Sequence, residues 1–157
     1  MSDQPPLSEQ GWHHKFAIDL FNDCWKLLGK ADRTAAEDDT MINTAHASRY
    51  HWGVVGAPSN LAIGEWQLSH VYAVLNRLEP SLYHATRSLQ ICQENGIGDF
   101  SLAYAYEALA RAHALAGQAD QAARYIELAR TAGQQIKEEE DQKLFWNDLA
   151  TVPGFEG

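Results

Sequence analysis

Between Ala103 and Ile136 the chain carries apolar residues at helical spacing on both sides of a single glycine. Tyr106, Leu109, Ala110 and His113 precede Gly117; Ala122, Tyr125, Ile126 and Ala129 follow it. Spacings of three and four put each set on one face of a helix, and the glycine supplies the turn between them. Small residues at Ala110 and Ala122 let two antiparallel helices approach closely, while Tyr106 and Ile126 fill the space beside them. Such a hairpin leaves an apolar face that only a neighbouring hairpin can cover. The pattern therefore demands stacking with units of its own kind.

The rest of the chain supplies those units. Alanine is abundant, β-branched runs are absent, and no proline interrupts a long periodic stretch, so the fold class is all-α. A first helix is expected from about Glu9 to Leu28, with Phe16, Leu20, Cys24 and Leu27 as its stripe, widened by Ala17, Phe21 and Leu28, and Gly29 as its stop. A second begins near Thr34, where Thr34 and Glu37 have capping-box spacing, and runs to about Trp52 before Gly53, Gly56 and Pro58. A third is expected from Ser59 or Asn60 to Asn76, and a fourth from Glu79-Pro80 to Asn95-Gly96. A fifth follows a cap at Asp99 or Ser101 and runs to Ala116. The sixth spans about Asp120 to Gln135, and the seventh about Glu138 to Ala150. About seven helices thus form one domain over 11–152, between short tails at 1–10 and 153–157.

The segment Ala103–Ile136 resembles the tetratricopeptide repeat at nearly every signature position. His113 departs from the family's aromatic preference, and Gln134 stands where the family prefers proline. A weaker copy lies 41 residues upstream: Leu68, Ser69 and Tyr72 match Leu109, Ala110 and His113, while Asn76 matches Gly117. Ser81, Ala85 and Ser88 then match Ala122, Ile126 and Ala129, with Glu65 as the departure at the first large position. The first two helices fit only by length and topology. The resemblance implies a short right-handed superhelix of antiparallel hairpins. It also implies a concave face, lined by the first helix of each hairpin, that binds a protein or peptide. In this register Trp66, His70, Ala73, Tyr104, Glu107 and Arg111 lie on that face.

Charge and motifs narrow the function. A formal charge of −9 opposes binding to nucleic acid or to anionic lipid. The acidic clusters at 37–39 and 138–141 fall at expected helix starts, where carboxylates favour the dipole. No run approaches the roughly 18 apolar residues of a membrane span. The first ten residues have no signal-peptide pattern, so a cytoplasmic location is expected. Cys24 and Cys92, flanked by residues suited to buried helices, read as free buried thiols. No Walker loop, nucleophile elbow or dinucleotide fingerprint occurs, so neither a catalytic residue nor a cofactor is assigned.

Two groups of residues remain as candidate sites. Trp66 and His70 share a helix face, as do Glu107 and Arg111, although the latter pair reads first as an intrahelical ion pair and second as a binding pair. In the second helix Asp39, Asn43, His46 and Tyr50 form a polar seam, beside the more apolar Met41, Ala45, Ser48 and Trp52. The polar seam either faces water or, with Arg49 and His51, lines a pocket. The first functional expectation is a scaffold binding a protein or peptide through Tyr104, Glu107, Arg111, Trp66 and His70. The groove lacks the Lys and Arg run that would clamp an acidic peptide end. The second expectation is a small-molecule or metal pocket around His46, Tyr50, Trp66 and His70. Its metal version is weak, because neither His46 with His51 nor Glu65 with His70 has the spacing that aims two ligands at one ion. A homodimer through the seventh helix (Leu144, Phe145, Trp146, Leu149) is a third, with capping of the last hairpin as that helix's simpler role.

Overall fold

A computed structural model describes residues 5–157. Helix α1 spans Glu9–Leu28, α2 Ala35–Val55, α3 Pro58–Val74, α4 Leu78–Glu94, α5 Asp99–Leu115, α6 Ala119–Gly133 and α7 Glu139–Leu149. The described residues contain no strand, and none of their helices is long and apolar enough to cross a membrane.

Local chemistry accounts for several helix ends. Ser8 Oγ accepts from the Gly11 N–H at 3.0 Å and starts α1. Thr34 and Glu37 form the expected capping box: Thr34 Oγ1 accepts from the Glu37 N–H, and the Glu37 carboxylate accepts from the Thr34 N–H. Three helices end alike, on a residue in the left-handed region: Asn76 (φ 56°), Gly96 (61°) and Gly117 (74°). The next amide in each case reaches back to the helix, from Arg77 to the Tyr72 carbonyl, from Ile97 to Cys92 and from Gln118 to His113. These are Schellman ends, which asparagine and glycine tolerate best.

Some expected boundaries shift. Helix α2 runs past Trp52 and takes Gly53 inside it, ending before Gly56. Gly56 and Ala57 are extended, the latter as the residue before Pro58 must be. Helix α1 itself keeps its expected bounds, and its first two residues, Glu9 and Gln10, fall within the stretch 1–10 assigned to the tail. The C-terminal tail is packed: Val152 is buried, the Arg130 guanidinium lies 4.8 Å from the Phe155 ring centre, and Arg130 Nη2 donates to the Glu156 carbonyl. Phe16 lies off the α1 stripe and is 42 % exposed, stacked on Trp12, because Ala17 and Cys24 mark the buried line.

The helices pair as hairpins α1–α2, α3–α4 and α5–α6, and α2 and α4 pack on the next hairpin. Helix α3 also packs against α1 and α5, whereas the backbones of α2, α4 and α6 stay apart and only the His46 and His84 rings bridge α2 to α4. A row in contact with itself and a row spread apart define a curved stack, with α1, α3 and α5 on the inner side. Small residues, with Met41 as the exception, hold each hairpin closed, and these positions recur in register. Ala17 and Cys24, Ala62 and Ser69, and Ala103 and Ala110 are each seven apart. So are Met41 and Ser48, Ser81 and Ser88, and Ala122 and Ala129 on the return helices. All twelve are buried. Where a serine stands in place of alanine it donates across the hairpin: Ser48 Oγ to the Ala17 carbonyl (2.7 Å), Ser69 Oγ to Ser81 (2.8 Å), and Ser88 Oγ to Ala62 (2.8 Å). The first hairpin therefore shares the close-approach register of the other two.

Cys24 and Cys92 are free and buried. Burial pushes their thiols up to about 12 and about 11, away from thiolate chemistry. Helix α7 covers α5 and α6 through Phe145 and Leu149, while Leu144 stays exposed. Gly133 is the contact point: a Cβ there would meet Phe145 Cδ1 at 2.7 Å, against a ring with no exposure. Gly133→Ala is expected to destabilise the domain by about 1–3 kcal/mol through overpacking, despite alanine's better helix propensity. Urea unfolding measures this; a variant at or above wild-type stability would show that α7 packs elsewhere.

Candidate functional site

Helices α1, α3, α5 and α7 together line a cavity of about 460 Å³ on the inner face. Its walls are Phe21, Trp25, Ile63, Trp66, Phe100, Tyr104, Leu144 and Asp148. The positions on α1, α3 and α5 follow from the hairpin register. Trp25, His70 and Arg111 each stand one residue after the second small position of their helix, at Cys24, Ser69 and Ala110. Phe21, Trp66 and Glu107 each stand three residues before it. The rings meet at steep angles: Phe21 and Trp25 at 74°, Trp25 and Trp66 at 37°, Trp66 and Tyr104 at 59°, and Phe100 and Tyr104 at 53°.

Beneath these rings runs a charged hydrogen-bond network. Glu107 is 1 % exposed. It accepts from Trp66 Nε1 at 3.1 Å and from Arg111 Nε at 2.9 Å and Nη2 at 2.5 Å. Arg111 Nη2 also donates to the Asp148 carbonyl and to Thr151 Oγ1. Tyr104 donates its hydroxyl proton to Asp148 Oδ2 at 2.5 Å. Burial, then the hydrogen bond to Asp148 and the carboxylates of Asp148, Glu107 and Asp141, hold the Tyr104 hydroxyl well above the ordinary phenol range. His70 packs against Trp25 and Trp66, with ring centres 5.9 and 6.1 Å away, and its buried Nδ1 has no hydrogen-bond partner. Burial, and next the charge of Arg111, push its pKa down to about 4, with Asp148 pulling the other way.

A second polar cluster joins α2, α3 and α4. The buried Glu65 accepts from Arg49 Nε at 2.9 Å and from His84 Nδ1 at 2.6 Å. Since a carboxylate only accepts, the His84 proton sits on Nδ1. Burial raises the Glu65 pKa, but the hydrogen bonds and charges of His84 and Arg49 outweigh it and keep the carboxyl below its usual range. The Arg49 side chain reaches Glu65 by crossing Gly64, where a Cβ would meet Arg49 Cδ at 2.8 Å. His46 Nε2 bonds the Tyr72 hydroxyl at 2.8 Å, and Tyr72 stacks on His84. Burial and the neighbouring His84 lower the His46 pKa.

Trp66, His70, Tyr104, Glu107 and Arg111 thus come together as expected, but Glu107 and Arg111 act beneath the surface as a buried ion pair. The polar seam of α2 faces outward: Asp39, Asn43, His46 and Tyr50 are all exposed. The expected pocket around His46, Tyr50, Trp66 and His70 does not form. Tyr50, 65 % exposed, packs on His13 and His51, whereas His46 joins Tyr72 and His84. Trp66 and His70 lie with Trp25. Phe21, Trp25, Phe100, Leu144, Asp148 and His84 were not legible as site residues. The spacing of Ala17 to Cys24 is the signal that places Trp25 and Phe21 on the inner face. Comparison with protein-family models, with curated proteins and with solved structures finds no match.

Proposed function

We propose that the chain is a tetratricopeptide-like scaffold that holds a protein or peptide partner on its concave face, with one partner side chain anchored in the aromatic cavity. The observation that carries this reading is the cavity of about 460 Å³ shared by α1, α3, α5 and α7. Its size lies in the range that accepts a side chain or small ligand, and its aromatic walls are the residue types that dominate binding hot spots. Glu107, Arg111 and the Tyr104 hydroxyl beneath it are engaged in hydrogen bonds within the fold, which supports a role in shaping the rings over one in catalysis. Three hairpins offer a short groove, so a single deep anchor would supply most of the affinity.

Selection of displayed random peptides on the intact protein tests the reading. Selected peptides are expected to lose at least tenfold in affinity on Trp25→Ala, which removes an anchor wall from a half-buried position. Peptides that bind wild type and Trp25→Ala equally, or no enrichment at all, would rule it out. A small-molecule reading survives only when moved from His46 and Tyr50 to this same cavity.

A further inference from the structure

Resting on the reading of the cavity as the binding site, we propose that its occupant is an N-alkylated ammonium group, carried on a lysine side chain of the partner. Five aromatic residues line the space, with the partly exposed rings of Phe21, Trp25 and Phe100 set against the buried rings of Trp66 and Tyr104. Rings set at 37° to 74° to one another turn around a common centre and do not form a flat stack. Such walls attract a cation through their quadrupoles, and tryptophan does so best. The polar member of the wall is a carboxylate. Asp148 uses Oδ2 to accept from Tyr104, and its Oδ1 has no hydrogen-bond partner among the described residues. Glu107 and Asp141 add negative charge near the Tyr104 hydroxyl. Against these three carboxylates stands the Arg111 guanidinium, which is bound to Glu107.

Hydrogen-bond capacity selects the degree of alkylation. A primary ammonium brings three N–H donors and must leave its water behind. The cavity wall offers a single free carboxylate oxygen, and its remaining surface is ring and aliphatic. Two donors would go unmet, at a substantial desolvation cost. A dimethylated nitrogen has one donor, which Asp148 Oδ1 can accept; a trimethylated nitrogen has none, and its methyl groups contact the rings. Ile63 and Leu144 extend the wall in aliphatic side chains suited to the methylene stem of a lysine.

The test is titration of the intact protein, followed by the indole N–H resonances of Trp25 and Trp66. The probes are the acetylated amides of lysine, dimethyllysine and trimethyllysine, with choline and its neutral isostere 3,3-dimethylbutan-1-ol. The two methylated lysine amides are expected to bind at least tenfold tighter than the lysine amide and the neutral alcohol. Asp148→Asn should weaken them at least threefold and leave the alcohol unchanged, and Trp25→Leu, which keeps apolar volume, should weaken them at least tenfold. The Asp148 variant is read only after its thermal midpoint is matched to wild type; otherwise Trp25→Leu carries the test. Equal binding of the alcohol would overturn the cation while leaving an apolar anchor site. Choline binding more tightly than trimethyllysine amide would overturn the lysine source in favour of a free small molecule. Failure of every probe, with selected peptides still bound through Trp25, would overturn the inference and spare the scaffold reading.

Discussion

Glu107→Ala is expected to destabilise the domain by about 3–5 kcal/mol, the range for removing one partner of a buried ion pair. The carboxylate is 1 % exposed and accepts three hydrogen bonds, one from Trp66 and two from Arg111. Its loss strands the Arg111 guanidinium, whose side chain is 12 % exposed, with only the Asp148 carbonyl and Thr151 Oγ1 as acceptors. It also orphans the indole N–H of Trp66. Glu107→Gln keeps an acceptor in place and should cost less, about 1–3 kcal/mol. Replacing both members, as Glu107→Leu with Arg111→Met, should recover much of the loss because no charge is left unpaired. Urea midpoints with an unchanged slope would report these differences. A loss below about 1 kcal/mol for Glu107→Ala would mean that the pair is solvated and that Trp66 is held by other contacts.

Acid should weaken this fold through His70, by about 3 kcal/mol between neutral pH and pH 4. In the unfolded chain a histidine titrates near 6.5, whereas in the native chain His70 is pushed down to about 4. Between these values the unfolded chain binds a proton that the native chain refuses. Stability therefore rises with pH across that window: the contribution is complete above about 6.5 and lost as pH falls to about 4. The cause is structural. The imidazole is packed against Trp25 and Trp66, its Nδ1 has no acceptor to receive a new proton, and Arg111 already places a positive charge nearby. His70→Phe keeps a ring between the tryptophans and removes the titration. The difference between the two proteins isolates His70, because His46 and His51, whose pKa values are also lowered, are unchanged in the variant. Unfolding midpoints at pH 7 and pH 4 should converge for His70→Phe far more than for wild type. Equal pH dependence in both would place the His70 proton elsewhere, and a direct imidazole titration near 6.5 would confirm that failure.

The two residues were singled out on the same ground, helical spacing on an expected concave face, and the structure separates their roles. Spacing places Glu107 and Arg111 on one helix face, but it cannot say whether that face is wet. Trp66, 41 residues away in sequence, answers that by covering the carboxylate and donating to it. Likewise His46 and Tyr50 share a seam in the sequence, yet packing divides them between Tyr72 with His84 and His13 with His51.

What the chain order settles by itself is local or periodic. Thr34 with Glu37 starts a helix, Asn76 and Gly117 stop helices with backbone that other residues resist, and Ala110 opposite Ala122 permits a close hairpin. Those features need only neighbours within a few residues, or a repeat, to act. The first hairpin escaped recognition because its register rests on Ala17, Cys24, Met41 and Ser48, small or flexible residues that are common in any helix. Tertiary structure alone decided that Trp25, Trp66 and Tyr104 surround one cavity, that α7 closes it with Asp148, and that Glu65 is shared by Arg49 and His84. These contacts join residues from different helices. Their partners are chosen by how the hairpins curve and stack, a property of the whole packed array that no single helix carries.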